Sequence, residues 1–544
     1  MLFRFKFGCC RKKSENSSAR ISLYAPKIKL LLVSIICAVP FWLCYLPVSS
    51  LAPYLTLVAF VPSLYVVRGL ELKREIIIFV LASSAAAYIV VASWLPNALR
   101  DALGVSRLGA LWLSVPLWMF WCMGNALFLL AYRYFYARHL LLWACLGVVL
   151  FNYWPSIFGS NPFMPLLFAS AWSGAAYVVG TAPLELAAVL LSAWIVEGLI
   201  VRRVALFKRV AALLGLLLVL DGFSAWWLSV TPQHSMSLAL VQAGNVYGQK
   251  FSSATDIEAF AREIVGSESP APDLVVFPES VFAFNMADDP ASANAAIDVL
   301  KRVSLELHVA FLLSVIRPHA SEPSQAITSK VTAYLIDHGE LSGFADKAST
   351  IPFAEYTPTW AVWLMERLGF DTHFRIADND YRAMRVSGVN IVALSCFESL
   401  DGHLVEARLA GKPGLLINQS NLDSFGTPGS VQYNAALWQH MAYEQRWVSE
   451  WQVPVVRAVK GGGSTSISAQ GDVDLDTLEG SWGREWVTAQ VKVRQATVLD
   501  APLAQLRVLF HGLIIAMAAA CLLRGVTERL SSWRGALRSQ ARER

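Results

Sequence analysis

The chain has 544 residues, of which 55% are hydrophobic and only 16% charged, and its mean hydropathy is +0.47. These values exclude a wholly water-soluble protein of this length, in which about a quarter of the residues would carry charge. The 45 Lys and Arg against 40 Asp and Glu leave a net charge of +5, in short basic clusters that point to membrane topology rather than to nucleic-acid binding.

Residues 1–27 are basic and polar. Apolar runs follow at about 28–48, 51–68, 75–96, 108–131, 139–158, 174–200 and 208–229, with a last one at about 503–523. Each is near the roughly 20 residues a helix needs to cross the hydrocarbon core. The second is short, and Pro47 and Pro53 ahead of it suggest a tight hairpin. Basic clusters come after the second run (Arg68, Lys73, Arg74), the fourth (Arg133, Arg138, His139) and the sixth (Arg202, Arg203, Lys208, Arg209). The tail adds Arg524, Arg529, Arg534, Arg538, Arg542 and Arg544. With the N-terminus in the cytoplasm, all of these fall on the cytoplasmic side, and Arg100 and Arg107 are the exceptions outside. About eight spans then place the segment between the last two outside, which is the periplasm for an inner-membrane protein of a Gram-negative bacterium. The expected division is 1–234, seven spans with their N-terminal segment; 235–500, an exposed domain; and 501–544, a final span with a basic tail.

Trp154, Trp172, Trp226 and Trp227 fall near span ends, as an aromatic belt places them. The Pro-rich stretch 160–173 reads as re-entrant or interfacial, and Glu197 and Asp221 lie close enough to span ends to need no special role. The eight cysteines show no CxxC or Cys/His metal spacing, so neither a zinc site nor a disulfide framework is expected. Adjacent Cys9 and Cys10 beside basic residues are a minor candidate for acylation. Neither Cys37 nor Cys44 follows the small residue of a lipoprotein cleavage site, so the first run is expected to be retained.

The exposed segment alternates strand and helix patterns. Strands are expected at 237–242, 273–277, 309–316, 330–336, 341–347, 389–394, 414–418, 453–459 and 464–469, and helices at 257–264, 294–307, 403–410 and 432–451. Such alternation gives an α/β sheet with helices on its faces and chemistry at the carboxyl ends of its strands. Glu279, Lys347 and Cys396 each come just after a strand-like run. A cysteine at a strand end is expected to be exposed, although free cysteines are often buried and inert. A carboxylate to take its proton and an ammonium to hold an oxyanion make the three a self-consistent set for acyl transfer through a thioester.

Three words occur in order: Phe277-Pro278-Glu279-Ser280; Lys347 followed by Ile351-Pro352-Phe353-Ala354-Glu355-Tyr356; and Ser395-Cys396-Phe397-Glu398. Together they resemble the nitrilase (carbon–nitrogen hydrolase) superfamily. With spans before and after, the whole chain is similar to its membrane-embedded branch, the apolipoprotein N-acyltransferase family, and Leu240-Val241-Gln242 followed by Asn245 resembles that family's domain start. The resemblance implies a multi-pass α-helical membrane domain plus an α/β nitrilase-like αββα sandwich. It assigns Glu279 as general base, Lys347 as oxyanion stabiliser and Cys396 as nucleophile, with Glu355 and Glu398 supporting them. Glu355–Lys347 as an ordinary surface ion pair and Glu398 as a turn cap are the plainer alternatives. Trp360, Trp363 and Phe425 are the substrate-facing candidates. The stretch 358–365 is expected to form an apolar mobile loop over the cleft, or else an ordinary packed helix.

The implied reaction takes an acyl chain from a phospholipid and gives it to the N-terminal diacylglyceryl-cysteine of an apolipoprotein. It needs no cofactor or metal. The implied partners are those two substrates and the lipid bilayer, with no nucleic acid, and the protein is expected to act as a monomer. The sequence departs from the family pattern at Phe397 (usually Tyr), Ala354 (usually Gly), the loop Ser420-Asn421-Leu422-Asp423-Ser424-Phe425-Gly426, which lacks a tryptophan, and Gly461-Gly462-Gly463-Ser464, where Asn-Asn-Gly is usual. Two alternatives therefore stay open: a membrane-anchored amidase or hydrolase, and a non-catalytic accessory protein on the same fold.

Overall fold

Proline and glycine mark several of the places where the apolar runs break into helices. The computed structural model describes residues 19–44, 52–154, 172–242, 251–282, 286, 289–318, 329–352, 354–367, 379–409 and 414–542. Cys9, Cys10, Asn245, Phe353 and most of the 160–173 stretch lie outside them. The first run is helix α1 (Ala19–Cys44). The second is two short helices, α2 (Ala52–Val58) and α3 (Val61–Gly69), with Pro62 in the first turn of α3, where its missing N–H costs nothing. The third, α4 (Lys73–Val91), ends in a turn and a helix not expected from the sequence, α5 (Leu95–Leu103). The fourth and fifth runs join as α6 (Arg107–Tyr153), broken at His139 by non-helical dihedrals (φ −142°, ψ 48°). The sixth is split by Gly180 (φ +87°) into α7 (Ser173–Val179) and α8 (Thr181–Val201), and α9 (Val204–Val230) is the seventh. Among the described residues four stretches are long and apolar enough to cross a bilayer: Lys73–Val91, Arg107–Tyr134, Thr181–Val201 and Asp500–Arg524. Shorter apolar helices accompany them at Lys29–Leu43, Tyr54–Gly69 and His139–Tyr153.

Among the described residues the α/β part holds twelve strands. They are β1 (Gln233–Val241), β2 (Leu274–Val276), β3 (Ala310–Pro318), β4 (Ser329–Asp337), β5 (Glu340–Asp346) and β6 (Tyr381–Arg382), then β7 (Met384–Val386), β8 (Val389–Ser395), β9 (Leu415–Asn421), β10 (Val455–Lys460), β11 (Thr465–Ile467) and β12 (Trp486–Arg494). Its helices are α10 (Ala254–Ser267), α11 (Pro290–Leu307), α12 (Thr359–Arg367), α13 (Gly402–Leu409), α14 (Val431–Trp451) and α15 (Leu475–Ser481), and α16 (Asp500–Arg542) follows as the last apolar helix. One sheet runs β12-β1-β2-β3-β4-β5-β6 and the other β11-β10-β9-β8-β7. The pairs β1–β2, β2–β3, β8–β9 and β9–β10 are parallel.

Period-two alternation builds the layers. In β1, Leu238 and Leu240 point between the sheets, where they meet Ile391, Ala393, Ile417 and Val456. Ala239 and Val241 point the other way, onto Ile257, Ile264 and Leu300 of α10 and α11. On the far face of the second sheet Val392, Leu394 and Leu416 pack against Val405, Trp447 and Val448 of α13 and α14. This is the αββα sandwich that the resemblance implied. Helix α14 is buried on nearly every side, because its other face (Ala436, Met441, Ala442) joins Trp94 and Trp121 in the core of the apolar helices. Glu450 near its end accepts from the backbone N–H and hydroxyl of Thr181, capping the N-terminus of α8, where a carboxylate is favoured.

Candidate active site

Three strand ends converge on one edge of the sandwich. Glu279 follows β2 and Lys347 follows β5, both in the larger sheet, while Cys396 follows β8 in the smaller. Lys347 Nζ lies 3.1 Å from Glu279 Oε1 and 2.7 Å from Glu355 Oε1. All three are buried, and Glu355 Oε2 also accepts from the N–H of Ile351 at 2.9 Å. A lysine between two buried carboxylates is not the exposed ion pair of the plainer reading. Burial opposes the Lys347 charge, but Glu279 and Glu355 outweigh it and hold the ammonium well above its ordinary range.

Cys396 is also buried, at 4% exposure, which corrects the expectation of an exposed thiol. The cause is local. The chain turns at once into a 3-10 turn, Cys396–Leu400, and the end of the neighbouring strand β9 lies against it, so that the thiol donates a long hydrogen bond to the carbonyl of Asn421 at 3.9 Å. Burial, then the charge of Glu279, push the thiol up to about 12, and Lys347 partly opposes this. The resting sulfur is therefore protonated, with a carboxylate and an ammonium acting on it. Cys396 has a left-handed backbone (φ +49°), a costly place for a residue with a Cβ. Asn418 Nδ2 donates to its carbonyl at 3.2 Å, and Asn418 in turn is held by Glu444, which pairs with buried Arg457. Sequence reasoning missed Asn418, Glu444 and Arg457 as support for the turn at Cys396.

Glu398 stands with its back to the cleft. Its Oε2 accepts from the N–H of Ser395 at 2.7 Å and its Oε1 from the N–H of Ala348 at 2.6 Å, and it is paired with Arg408. It thus caps the nucleophile turn, as the plainer reading had it, and reaches the lysine strand as well. His440 lies behind Phe425. Burial, with Arg457 and Lys347 adding to it, holds that imidazole well below its ordinary value, so it is neutral.

The substrate-facing candidates fall in different places. Phe425 is buried, its ring 5.1 Å from that of Trp94 in an edge contact. Asn97 Nδ2 donates to its carbonyl at 3.1 Å, and Ser424 bonds Asp101. Helix α5 of the apolar part therefore clasps the loop that follows Asn421, the residue bonded to the sulfur. Trp363 on α12 is 65% exposed, with Leu364 at 44% beside it and Arg367 stacked over the Trp363 ring. Trp360 starts the same helix, and its side chain lies outside the described residues. No group of three or more His, Cys, Asp or Glu placed to hold a metal occurs among the described residues.

No family model matches the chain. Curated relatives do. It is 29% identical over 209 residues to an apolipoprotein N-acyltransferase of Sinorhizobium medicae, covering 37% of this chain and 36% of that protein. It is 28% identical over 309 residues to one of Bordetella bronchiseptica, covering 51% and 53%. A third, from Rhizobium meliloti, is 30% identical over 210 residues, 37% and 36%. The matches thus span about half the length of these relatives or less. Among solved structures, an amidase from Nesterenkonia sp. aligns with a TM-score of 0.34 at 19% identity, over 51% of this chain and 98% of that one. A glutamine-dependent NAD+ synthetase from Acinetobacter baumannii aligns at 0.34 and 12%, over 48% of each. The chain is a homologue of proteins named apolipoprotein N-acyltransferase, with the similarity running over up to about half of its length.

Proposed function

We propose that this chain is a membrane acyltransferase that moves an acyl chain from a phospholipid to the α-amine of a diacylglyceryl-cysteine at the N-terminus of an apolipoprotein. The observation that carries the reading is Lys347 held between buried Glu279 and Glu355, next to a buried thiol. In this reading the chain crosses the bacterial inner membrane about eight times, and 235–500 stands on the periplasmic side.

The chemistry follows from the geometry. The thiol of Cys396 adds to the ester carbonyl as Glu279 takes its proton, so a high thiol pKa is no obstacle. Lys347 faces the oxyanion that forms. Collapse expels the lysophospholipid oxygen, which takes the proton from Glu279, and a thioester remains. The acceptor amine then attacks and gives a proton to Glu279. The second collapse releases the amide and returns the proton to sulfur. Burial of the site keeps water from hydrolysing the thioester.

The test is direct. Purified protein incubated with phospholipid labelled in its acyl chain is expected to carry a hydroxylamine-sensitive label, which a diacylglyceryl-cysteine peptide discharges as an amide. Label released as free fatty acid despite the peptide means a hydrolase, and no label means no acyl transfer.

The exposed apolar pair Trp363 and Leu364 suits contact with lipid at the cleft mouth. Trp363→Ser with Leu364→Ser is expected to slow thioester formation from phospholipid vesicles at least about tenfold, since full burial of even one leucine or aromatic side chain is worth roughly 1.5–3 kcal/mol. The thermal midpoint should hold. An unchanged vesicle rate removes α12 from the lipid path.

A further inference from the structure

Lys347 and Cys396 lie at strand ends of two different sheets. The layer between those sheets is apolar, and dispersion contacts set a spacing without fixing the register of loop ends. Polar ties at the edge fix it, and the one that reaches both Lys347 and Cys396 is a buried ion pair. Arg408 of α13 donates from Nη1 to the carbonyl of Ala393 at 2.8 Å and from Nη2 to the carbonyl of Asp346 at 2.6 Å. The same two nitrogens meet Glu398 Oε2 and Oε1, each at 3.2 Å. Glu398 then accepts from the N–H of Ser395 and of Ala348. The pair therefore holds the backbone on both sides of Lys347 (Asp346 and Ala348) and two residues just before Cys396 (Ala393 and Ser395). A second tie, Ser349 to Asp401 at 2.7 Å, runs between the same two segments.

We propose that Arg408, acting with Glu398, is a positioning residue that sets the spacing of Lys347 from Cys396. It touches no reacting atom. It works because a guanidinium is a planar fork with five donors, four of whose contacts are used here on two strands and one carboxylate. A lysine at the same place, with a single nitrogen, cannot reach Ala393, Asp346 and both oxygens of Glu398 at once. The inference rests on reading Cys396 and Lys347 as the working pair, but not on any choice of substrate.

The experiment is the rate of Cys396 alkylation by iodoacetamide in the full chain at pH 8, with the Cys396→Ala protein subtracted as background. Arg408→Lys is expected to lower that rate about tenfold, as a misplaced ammonium no longer favours the thiolate, while the thermal midpoint stays within a few degrees. If Arg408→Lys fails to fold, Arg408→Met with Glu398→Leu removes the clamp without stranding a buried charge, and the same fall is expected. A merely structural role loosens the turn and exposes the sulfur. Alkylation at the native rate or faster in a folded variant therefore overturns the proposal. The phospholipid labelling of the native protein decides the functional reading separately, because alkylation needs no lipid.

Discussion

Cys396→Ala is expected to abolish the hydroxylamine-sensitive acyl label and to lower acyl transfer by at least about a thousandfold, since removing the nucleophile removes the covalent path altogether. The fold should survive, because the thiol makes one long hydrogen bond and the rest of the turn is held by Asn418, Glu398 and Arg408. A companion variant separates chemistry from strain. At φ +49° a glycine carries no Cβ penalty, so Cys396→Gly is expected to be more stable than Cys396→Ala by about 1 kcal/mol, although both are inactive. The measurements are labelling by gel and thermal or denaturant unfolding in detergent. A labelled Cys396→Ala protein would place the acyl group elsewhere, and equal stabilities would remove strain from the account of the turn.

Lys347→Met should damage both catalysis and stability. Loss of one preorganised oxyanion donor costs about a hundred- to a thousandfold in rate. It also leaves Glu279 and Glu355 buried with no cation between them, a change worth roughly 3–5 kcal/mol. The sign of the pH dependence identifies the cause. Stripped of the ammonium, the two carboxylates bind protons more readily folded than unfolded, so the variant should gain stability as the pH falls from 8 to 5. In the native protein Lys347 has its proton affinity raised. Its contribution is then fully present below the unfolded lysine pKa and is lost only as alkaline pH rises through the folded value. Adding Glu355→Gln to Lys347→Met should recover stability without recovering turnover. A Lys347→Met protein whose midpoint ignores acidification would show that the carboxylates are not coupled through that ammonium.

What could be read from the chain, and what could not, divides along physical lines. The ends of β2, β5 and β8 were legible because short apolar runs terminate in Pro278-Glu279, Lys347 and Cys396, and such ends gather at one edge of a sheet. The clamp was not legible. Arg408 lies twelve positions beyond the nucleophile, on a helix whose charges read as solvated, and only the packing of α13 brings it beneath both strands. The burial of Cys396 was missed for a similar reason: its cover comes from Asn421, on the next strand of the sheet. Strand β12 carries a clear alternation from Val487 to Val493 but is not among the strands expected from the sequence, and its partner β1 lies about 250 residues earlier. Helix α5 has apolar residues at helical spacing (Leu95, Ala98, Leu99, Ala102, Leu103), but it is only nine residues long and abuts the end of an apolar run, and it meets Phe425 and Ser424, more than 300 residues away.

The clasp of α5 on that loop changes what the helical part is. Asn97, Asp101 and Trp94 hold the loop just after Asn421, which accepts the thiol's hydrogen bond, and Gln439 of α14 is bonded to Trp94 and to the carbonyl of Val91. The apolar helices are thus a mould as well as an anchor, and the segment next to the sulfur's hydrogen-bond acceptor is cast against them. Whatever surrounds those helices, bilayer or detergent, becomes part of the nucleophile's environment at one remove.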